Sequence, residues 1–383
     1  MYRFMDEVSF VNLGKSGKET CLIKYLGKTP EAEKPDFDEI SESAKNPAVL
    51  PSYQIRQMPP HEAVEVSKCA YMSYGYTYSN EHIYFPERLR KMNETGEMVS
   101  FVAVSSENEI IGHTAVLFEE EDRFLAGIDD AFVKPEYRGT GCLNKLAVAV
   151  FDWFEANKIK GTYVWAVTSH VYSQKESFKF GFRDTAICIS SELPLKFKGI
   201  EEQAAQRESC IILFQYLGET DTVKIYAPLH HRDILTEIYK SLGVKTEIIS
   251  DNTLNEMPEE ETVLELKYDP CINAFMTIRK YGRNVIHDVS RMLKDLCLEK
   301  IETIFLFLPL NNTYTAQLTP DFEKMGFFFS GIMPGSNGRD RLILQYLNNQ
   351  RIDYEKIHIN SDTGKKILEY IKKLDPSQAV QSR

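Results

Sequence analysis

One segment limits the folds open to this chain more than any other, the run FVKPEYRGTGCLNKL at residues 132–146. Its apolar start is typical of a strand end, Pro135 stops strand pairing, and Arg138 to Gly141 precede an amphipathic helix. Glycine lets a backbone turn tightly and approach a ligand, and the first N–H groups of a helix have no partner inside the helix. Together with the helix dipole, these groups predict a cradle for a pyrophosphate.

Other glycine-rich phosphate sites do not fit this segment. A dinucleotide-binding fold carries G-x-G-x-x-G directly after a strand, and a P-loop ends in Gly-Lys followed by Ser or Thr. The segment has neither pattern. The phosphate cradle therefore has to be of another kind.

The elements around the segment alternate between strands and helices. Apolar alternation and turn residues predict strands before it, and a helix, a strand and a short helix after it. This alternation predicts an α/β (α+β) fold, in which strands 98–105 and 110–119 are adjacent and antiparallel. The predicted strands are 53–57, 98–105, 110–119, 127–133, 162–168 and 209–217, and the predicted helices are 60–74, 143–158 and 172–180.

The segment resembles the R/Q-x-x-G-x-G/A motif of the GNAT N-acetyltransferase superfamily. Arg138, Gly139 and Gly141 match the motif, whereas Leu143 stands where that family usually has a small residue. The flanking V-x-P-x-Y-R run agrees with the family, and so does the short helix that ends in Gly-Phe at residues 181–182. The resemblance implies a GNAT fold, with a mixed, mostly antiparallel sheet flanked by helices.

The resemblance also implies acetyl-CoA as the co-substrate. No metal is expected, because no CxxC and no His/Cys cluster at zinc spacing is present in the sequence. Backbone N–H groups at the helix start would hold the pyrophosphate, two basic side chains would add charge, and the strand before them would pair with the pantetheine arm. These residues are Gly139, Thr140, Gly141, Cys142 and Leu143 for the pyrophosphate, Arg138 and Lys145 for the charge, and Phe132 and Val133 for the arm. Cys142 would contribute its backbone, since no histidine partner for its thiol is readable.

Catalysis in this family resembles direct attack of an amine on the thioester, helped by an acid and a base. The usual acid is a tyrosine four residues before the glycine of the Gly-Phe pair. Here that position is Ser177, and the customary asparagine earlier in the segment is His170. Tyr172 lies on the same short helix and is the alternative acid, and His170 would act either as a base or as a helix cap.

Two neighbouring aspartates are the first candidates for the base. Asp129 and Asp130 are adjacent on a predicted strand, so one of them should face the cleft. We take Asp130 as the expected base. His113, on the preceding strand, is a further candidate. For each of these residues the alternative is that it is a polar residue of a strand and simply faces solvent.

The acceptor would be a small-molecule amine or a protein amine, and a tyrosine-rich stretch indicates where it enters. Residues 70–85, AYMSYGYTYSNEHIYF, form a loop-prone wall in which Tyr74, Tyr76 and Tyr78 are the expected substrate contacts. Tyrosine combines a large apolar area with a hydroxyl, which suits a binding surface. The alternative is that these rings pack against the first helices.

The second half appears to repeat the first. CIILFQYLGE at 210–219 resembles RLILQYLNN at 341–349, but the position of the cradle has only Gly282. We therefore predict tandem GNAT units: 51–220 catalytic, 221–350 degenerate, and 351–383 a helical tail. Residues 1–28 resemble the end of an anti-sigma-factor-type serine kinase ATPase domain and would contact a regulatory partner, and 29–50 would be a linker.

Composition excludes several classes of function. The formal charge is -11 and the pI about 5.4, which disfavours binding to nucleic acid or anionic membranes. No long apolar run or signal peptide is readable, and the scattered cysteines suit reduced thiols in the cytoplasm. His230 and His231 are interpreted as polar residues at a helix start, not as ligands. The prediction is an acetyl-CoA-dependent N-acetyltransferase; the alternative is a non-catalytic acyl-CoA sensor.

Overall fold

The computed structural model describes residues 7–12, 18–23, 52–75, 78, 80–119, 122–193, 206–250, 256, 260–269 and 273–381. Contacts divide the chain into units 1–50 and 51–383. In the first unit β1 (Glu7–Asn12) pairs antiparallel with β2 (Lys18–Ile23). The predicted linker 29–50 lies outside the described residues, and the kinase resemblance of residues 1–28 stays a prediction.

The second unit is built on a twelve-stranded sheet. In chain order its first seven strands are β3 (Tyr53–Gln57), β4 (Met98–Ser105), β5 (Ile110–Glu119), β6 (Asp122–Val133), β7 (Gly161–Val167), β8 (Arg183–Glu192) and β9 (Glu208–Tyr216). A separate parallel pair follows, β10 (Val223–Tyr226) and β11 (Thr246–Ile249). The last five are β12 (Val263–Asp269), β13 (Asn273–Lys280), β14 (Thr303–Pro309), β15 (Phe328–Met333) and β16 (Arg341–Leu347).

Helices flank this sheet. They are α1 (Ala63–Tyr74), α2 (Pro86–Thr95), α3 (Cys142–Ala156), α4 (Tyr172–Lys179), α5 (Arg232–Ser241), α6 (Val285–Leu298), α7 (Thr313–Lys324), α8 (Asp362–Leu374) and α9 (Pro376–Gln381). The predicted fold class, a mixed and mostly antiparallel sheet flanked by helices, is confirmed. In the part of the chain that the structure describes, no helix is long and apolar enough to cross a membrane.

The strand order of the sheet is β12-β13-β14-β16-β15-β8-β9-β7-β6-β5-β4-β3. In the first half β6 runs parallel to β7, and β9 lies antiparallel between β7 and β8. In the second half β13 runs parallel to β14, and β16 lies antiparallel between β14 and β15. The two halves therefore use the same succession of strands and connecting helices, and they meet where β8 is next to β15.

The meeting point of the halves is unusually close. Gly331 of β15 pairs with Ala186 of β8. A Cβ atom at Gly331 would lie 2.3 Å from both the Ala186 Cα and the Thr185 carbonyl oxygen, and the backbone there has a φ of +140°. Ile187 and Ile332, from either side of the junction, belong to one hydrophobic core. The core is continuous across the halves because no side chain separates the two strands at this glycine.

We expect Gly331→Ala to destabilise the chain strongly. The added methyl group meets backbone that cannot move aside, and the positive φ is strained for alanine, so the cost should be about 3 kcal/mol or more. Gly243→Ala is the matched control, since Gly243 also has a positive φ (+72°) but nothing within 4 Å of a Cβ; it should cost about 1 kcal/mol. Denaturant unfolding measures both, and equal costs would contradict the close junction.

Candidate functional site

The sheet opens between β6 and β7. Their parallel pairing covers only Leu125 with Gly161, Ala126 with Thr162, and Gly127 with Tyr163. Beyond these pairs β6 continues to Val133 and β7 to Val167 without a shared ladder. The two strands therefore diverge, and a wedge opens toward their carboxyl ends, which is where an extended ligand can pair with exposed backbone.

One residue at the end of β6 directs its backbone into this wedge. The Lys134 N–H donates to the Ile111 carbonyl of β5 at 2.9 Å. Because backbone groups alternate in direction along a strand, the N–H and C=O of Val133 point away from β5, toward the β7 side. By the same alternation Phe132 faces β5, so Val133 and not Phe132 presents its backbone for an arm of ligand.

The glycine cradle begins directly after this strand. Gly139 and Gly141 have φ values of +76° and +78°, and a Cβ at either position would meet nothing within 4 Å. The Lys145 N–H donates to the Gly141 carbonyl at 3.1 Å, so α3 begins here. Its first N–H groups precede that bond, as at any helix start. Open space, left-handed glycines and a helix N-terminus together fit a phosphate group.

The cradle is tied to the edge strand β3. The Tyr53 hydroxyl donates to the Thr140 carbonyl at 3.2 Å, and the Lys145 ammonium lies 4.3 Å from the Tyr53 ring centre. The Thr140 hydroxyl donates to the Tyr137 carbonyl at 2.7 Å. The sequence analysis did not identify Tyr53, because nothing in its own neighbourhood marks it. Its ring holds Lys145 close to the helix start, where a cation favours a phosphate.

Arg138, the basic residue before the cradle glycines, contacts backbone carbonyl groups. Arg138 is exposed and donates from Nε to the Val133 carbonyl and from Nη2 to the Ser73 carbonyl, both at 3.3 Å. It thereby joins the cradle to the end of α1.

Cys142 is buried, which raises the pKa of its thiol to about 11. A buried thiol of that pKa is not a nucleophile at neutral pH. Leu143, by contrast, is exposed.

A β-bulge shapes β6 before the cradle. Between the pairs His113–Phe132 and Ala115–Asp129, β6 has one residue more than β5. Asp130 lies in this bulge with a φ of +50°, a left-handed conformation. Such bulges re-aim side chains. Here the bulge turns the Asp130 carboxylate into the protein, where it is fully buried.

The buried Asp130 carboxylate is surrounded by donors. Asn80 donates to Oδ1 at 2.9 Å, and the His82 Nε2 lies 2.6 Å from Oδ2. His113, also fully buried, donates from Nδ1 to the Asp130 carbonyl at 2.8 Å. Burial lowers the pKa of His113. Burial opposes the charge on His82, but the Asp130 hydrogen bond and charge prevail and raise the pKa of His82. The sequence analysis missed Asn80 and His82, which lie in the tyrosine-rich stretch.

Asp129 differs from its neighbour. It keeps more than a third of its surface exposed, and its Oδ1 accepts from the Asp130 N–H at 2.7 Å. Surrounding protein, and then the charge of Asp130, raise the pKa of Asp129 to about 6. Asp129 is partly exposed to solvent and otherwise surrounded by protein, as a carboxylate on the floor of an open cleft would be.

The predicted tyrosine wall is present in part. The Tyr74 and Tyr78 rings lie 5.0 Å apart, and both contact Phe132, at 6.4 and 5.8 Å. The Tyr78 N–H donates to the Tyr84 hydroxyl at 3.0 Å. Burial raises the pKa of Tyr74 and of Tyr78. These rings pack a wall beside Asp130, while Tyr76 lies outside the described residues.

The three remaining predicted catalytic residues lie together on another segment. The Ser177 hydroxyl donates to the Ser173 carbonyl of its own helix at 2.9 Å. The His170 and Tyr172 rings lie 5.2 Å apart and line a groove of about 710 Å³ with residues of the C-terminal tail. The tail is fixed here, since the His358 N–H donates to the Thr168 carbonyl at 2.8 Å.

The corresponding turn of the second half is filled. A Cβ at Gly282 would lie 2.3 Å from backbone atoms of Glu261 and Thr262. The Arg283 N–H donates to the Glu260 carbonyl at 3.0 Å, and the Thr262 N–H donates to Asn284 Oδ1 at 3.0 Å. Protein backbone therefore occupies the place beside the start of α6 that is open beside the start of α3.

The His82–Asp130 pair should make stability depend on pH. Since folding raises the pKa of His82, its stabilising contribution is present below its unfolded pKa of about 6.5 and is lost as pH rises through the folded value. His82→Gln cannot titrate. The stability difference between the wild type and this variant should therefore shrink between about pH 6 and the pH at which folded His82 has lost its proton, as measured by denaturant unfolding. A difference that is constant over this range would contradict the pairing.

Comparison with known proteins identifies this region. Residues 65–182 match the model of the acetyltransferase (GNAT) family. A comparison with curated protein sequences finds no match.

Similar solved structures include a PaiA N-acetyltransferase of Thermoplasma acidophilum in complex with coenzyme A, with 15% identity over 43% of this chain and 99% of that one, TM-score 0.32. The spermidine/spermine N-acetyltransferase of Vibrio cholerae has 13% identity over 43% and 95%, TM-score 0.34. An N-acetyltransferase of Staphylococcus aureus has 12% identity over 44% and 99%, TM-score 0.35. On the family match, residues 65–182 of this chain carry a GNAT acetyltransferase domain.

Proposed function

We propose that the chain is an acetyl-CoA-dependent N-acetyltransferase whose donor site is the β6–β7 wedge with the cradle behind it. The observation that carries the proposal is the open helix start, where Gly139 and Gly141 leave the space beside the first N–H groups clear. Lys145 and Arg138 would add charge for the pyrophosphate, and the backbone of Val133 would pair with the pantetheine arm. Acetyl-CoA, when bound, would supply the acyl thioester.

Asp129 is the residue that we propose as the base. It is the exposed member of the aspartate pair, and its raised pKa of about 6 suits acceptance of a proton from an ammonium near neutral pH. Asp130 instead acts through its neighbours. Its buried carboxylate holds Asn80 and His82 and so orients the segment that leads to the tyrosine wall.

The acid belongs to the segment after β7. We keep Tyr172 as the candidate and add His170, first considered as a base or a helix cap, because the two rings contact each other and line a groove that solvent reaches. Ser177 is the weaker candidate, since its hydroxyl already donates to its own helix.

The acceptor class that we propose is a primary amine, on a small molecule or a protein, entering along the wall of Tyr74 and Tyr78. The structural neighbour from Vibrio cholerae is named for spermidine and spermine, which are small amines. The negative charge of Asp129 would attract such an ammonium before it loses its proton.

The second half would be a GNAT-like unit that has lost its cradle. The repeated strand succession and the filled Gly282 turn support this proposal of tandem units. We propose a cytoplasmic location because Cys69, Cys142, Cys188, Cys210 and Cys297 are free thiols. Residues 1–28 remain the proposed contact for a regulatory partner.

Calorimetric titration of acetyl-CoA into the full chain tests the cradle. We expect about one site per chain and loss of saturable binding in Gly141→Trp, whose side chain would fill the space above the helix start. Gly338→Trp is the matched control, because Gly338 has a similar φ of +72° and the same open surroundings in the second half. Binding that survives in Gly141→Trp, or two sites in the wild type, would overturn the assignment.

Release of the CoA thiol in the presence of pooled amines tests the base. Asp129→Asn should keep acetyl-CoA binding and lose about 10²- to 10⁴-fold in kcat. In the wild type kcat/KM should rise with pH through a pKa near 6, as a base with this raised pKa requires. Asp129→Asn should lose this rise with pH. Asp152→Asn, an exposed carboxylate on α3, is the control. Binding without turnover in the wild type would favour the non-catalytic sensor.

A further inference from the structure

Three potential metal ligands meet in the second half of the chain, away from the cradle. His230 and His231 lie on the short 3-10 turn Leu229–His231 that leads into α5, and Glu323 lies near the end of α7. One ligand atom from each falls within 4.8 Å of the others. Their sequence positions, a His-His pair and a carboxylate some ninety residues away, gave no metal-binding pattern.

The two imidazoles converge on the same carboxylate. The His230 Nε2 lies 2.9 Å from Glu323 Oε2, and the His231 Nε2 lies 3.0 Å from Oε1. The His230 side chain is 44% exposed, whereas that of His231 is fully buried. One side of the group therefore faces solvent and the other faces the core.

Hydrogen bonding fixes the proton on the buried ring. The Tyr370 hydroxyl of α8 donates its single proton to the His230 carbonyl, at 2.8 Å. The same hydroxyl lies 2.9 Å from His231 Nδ1 and can only accept there, so Nδ1 carries a proton. In the neutral imidazole the other nitrogen, Nε2, then carries no proton and presents a lone pair.

That lone pair faces a carboxylate. The His231 Nε2 is buried and forms no hydrogen bond of acceptable geometry within the described part of the chain, although Glu323 Oε1 is 3.0 Å away. A neutral ring nitrogen and a carboxylate oxygen repel each other at this distance unless a cation lies between them. The cation is either an extra proton, which would give a fully buried imidazolium or a neutral Glu323 carboxyl, or a metal ion.

The chemistry of the donors distinguishes the metals. Two imidazole nitrogens and one carboxylate oxygen suit Zn²⁺, whereas Mg²⁺ prefers oxygen ligands alone. Donor atoms around tetrahedral Zn²⁺ are separated by about 3.3 Å, given bonds of about 2.0–2.1 Å. The separations of 2.9–3.0 Å here are shorter by a few tenths of an ångström, which side-chain rotation accommodates.

We propose that His230, His231 and Glu323 form a Zn²⁺ site with a fourth position open to solvent. The Tyr370 hydroxyl would be the outer partner that fixes the tautomer and orientation of His231, a role that such partners commonly have in zinc sites. The Phe329 ring, 4.8 Å from His231 and 5.3 Å from Tyr370, closes the inner side. The ion would join the start of α5 to the end of α7 and, through Tyr370, to α8.

Zinc titration of the full chain, freed of metal by a chelator, tests the site directly. Calorimetry with Zn²⁺ alone should give about one ion per chain, and Zn²⁺ should raise the Tm, because binding to a folded site adds to stability. Mg²⁺ should do neither. Failure of the folded wild type to bind Zn²⁺, or equal binding of Mg²⁺, would overturn the proposal in favour of a protonated histidine paired with Glu323.

Two variants localise the ion, and one controls for surface binding. His230→Ala and Glu323→Gln should each weaken Zn²⁺ binding at least tenfold, with circular dichroism to confirm that both remain folded. His287→Ala is the matched control, since His287 is also exposed and lies 3.4 Å from a carboxylate, that of Asp288; it should bind Zn²⁺ as the wild type does. Unchanged affinity in the first two variants would place the ion elsewhere and refute the assignment. The result does not depend on acetyl transfer.

Discussion

The separation of β6 from β7 is the constraint on which the arrangement of the candidate site depends. Three residue pairs hold the strands together, and beyond Gly127 they diverge. A sheet that loses a ladder in its interior leaves backbone groups without partners, which is costly unless water or a ligand satisfies them. The opening persists because each strand is held on its outer side, β6 by β5 and β7 by β9. The cradle at Gly139 and Gly141 lies directly behind the end of β6.

Much of this arrangement was readable from local pattern. The strands Tyr53–Gln57, Met98–Ser105 and Ile110–Glu119 were predicted to the residue, because alternation, turn residues and strand length agreed. The predicted helix 143–158 is α3, Cys142–Ala156. The cradle was readable for a different reason, since a left-handed turn before a helix needs glycine at fixed positions.

The contacts that organise the site were not readable, because they join residues that are distant in sequence. Asp130 was expected to face the cleft by strand alternation, but the bulge in β6 breaks that alternation and buries it, leaving Asp129 exposed. No glycine or proline marks the bulge. Asn80 and His82 reach Asp130 from about fifty positions away, and Tyr53 reaches Thr140 across eighty-seven. A polar histidine within a tyrosine-rich stretch was the available signal for His82.

The second half shows what a cradle needs beyond its fold. The parallel pair β13–β14 and the helix between them repeat the plan of β6, α3 and β7. The turn before α6 is nevertheless closed, because the backbone at Glu260–Thr262 packs against Gly282 and takes up the Arg283 N–H. The same connection can thus leave the helix start open or close it in a packing contact, depending on whether another chain segment covers it. Sheet, core and topology tolerate both outcomes, so the same succession of strands and helices does not by itself decide whether the helix start is open.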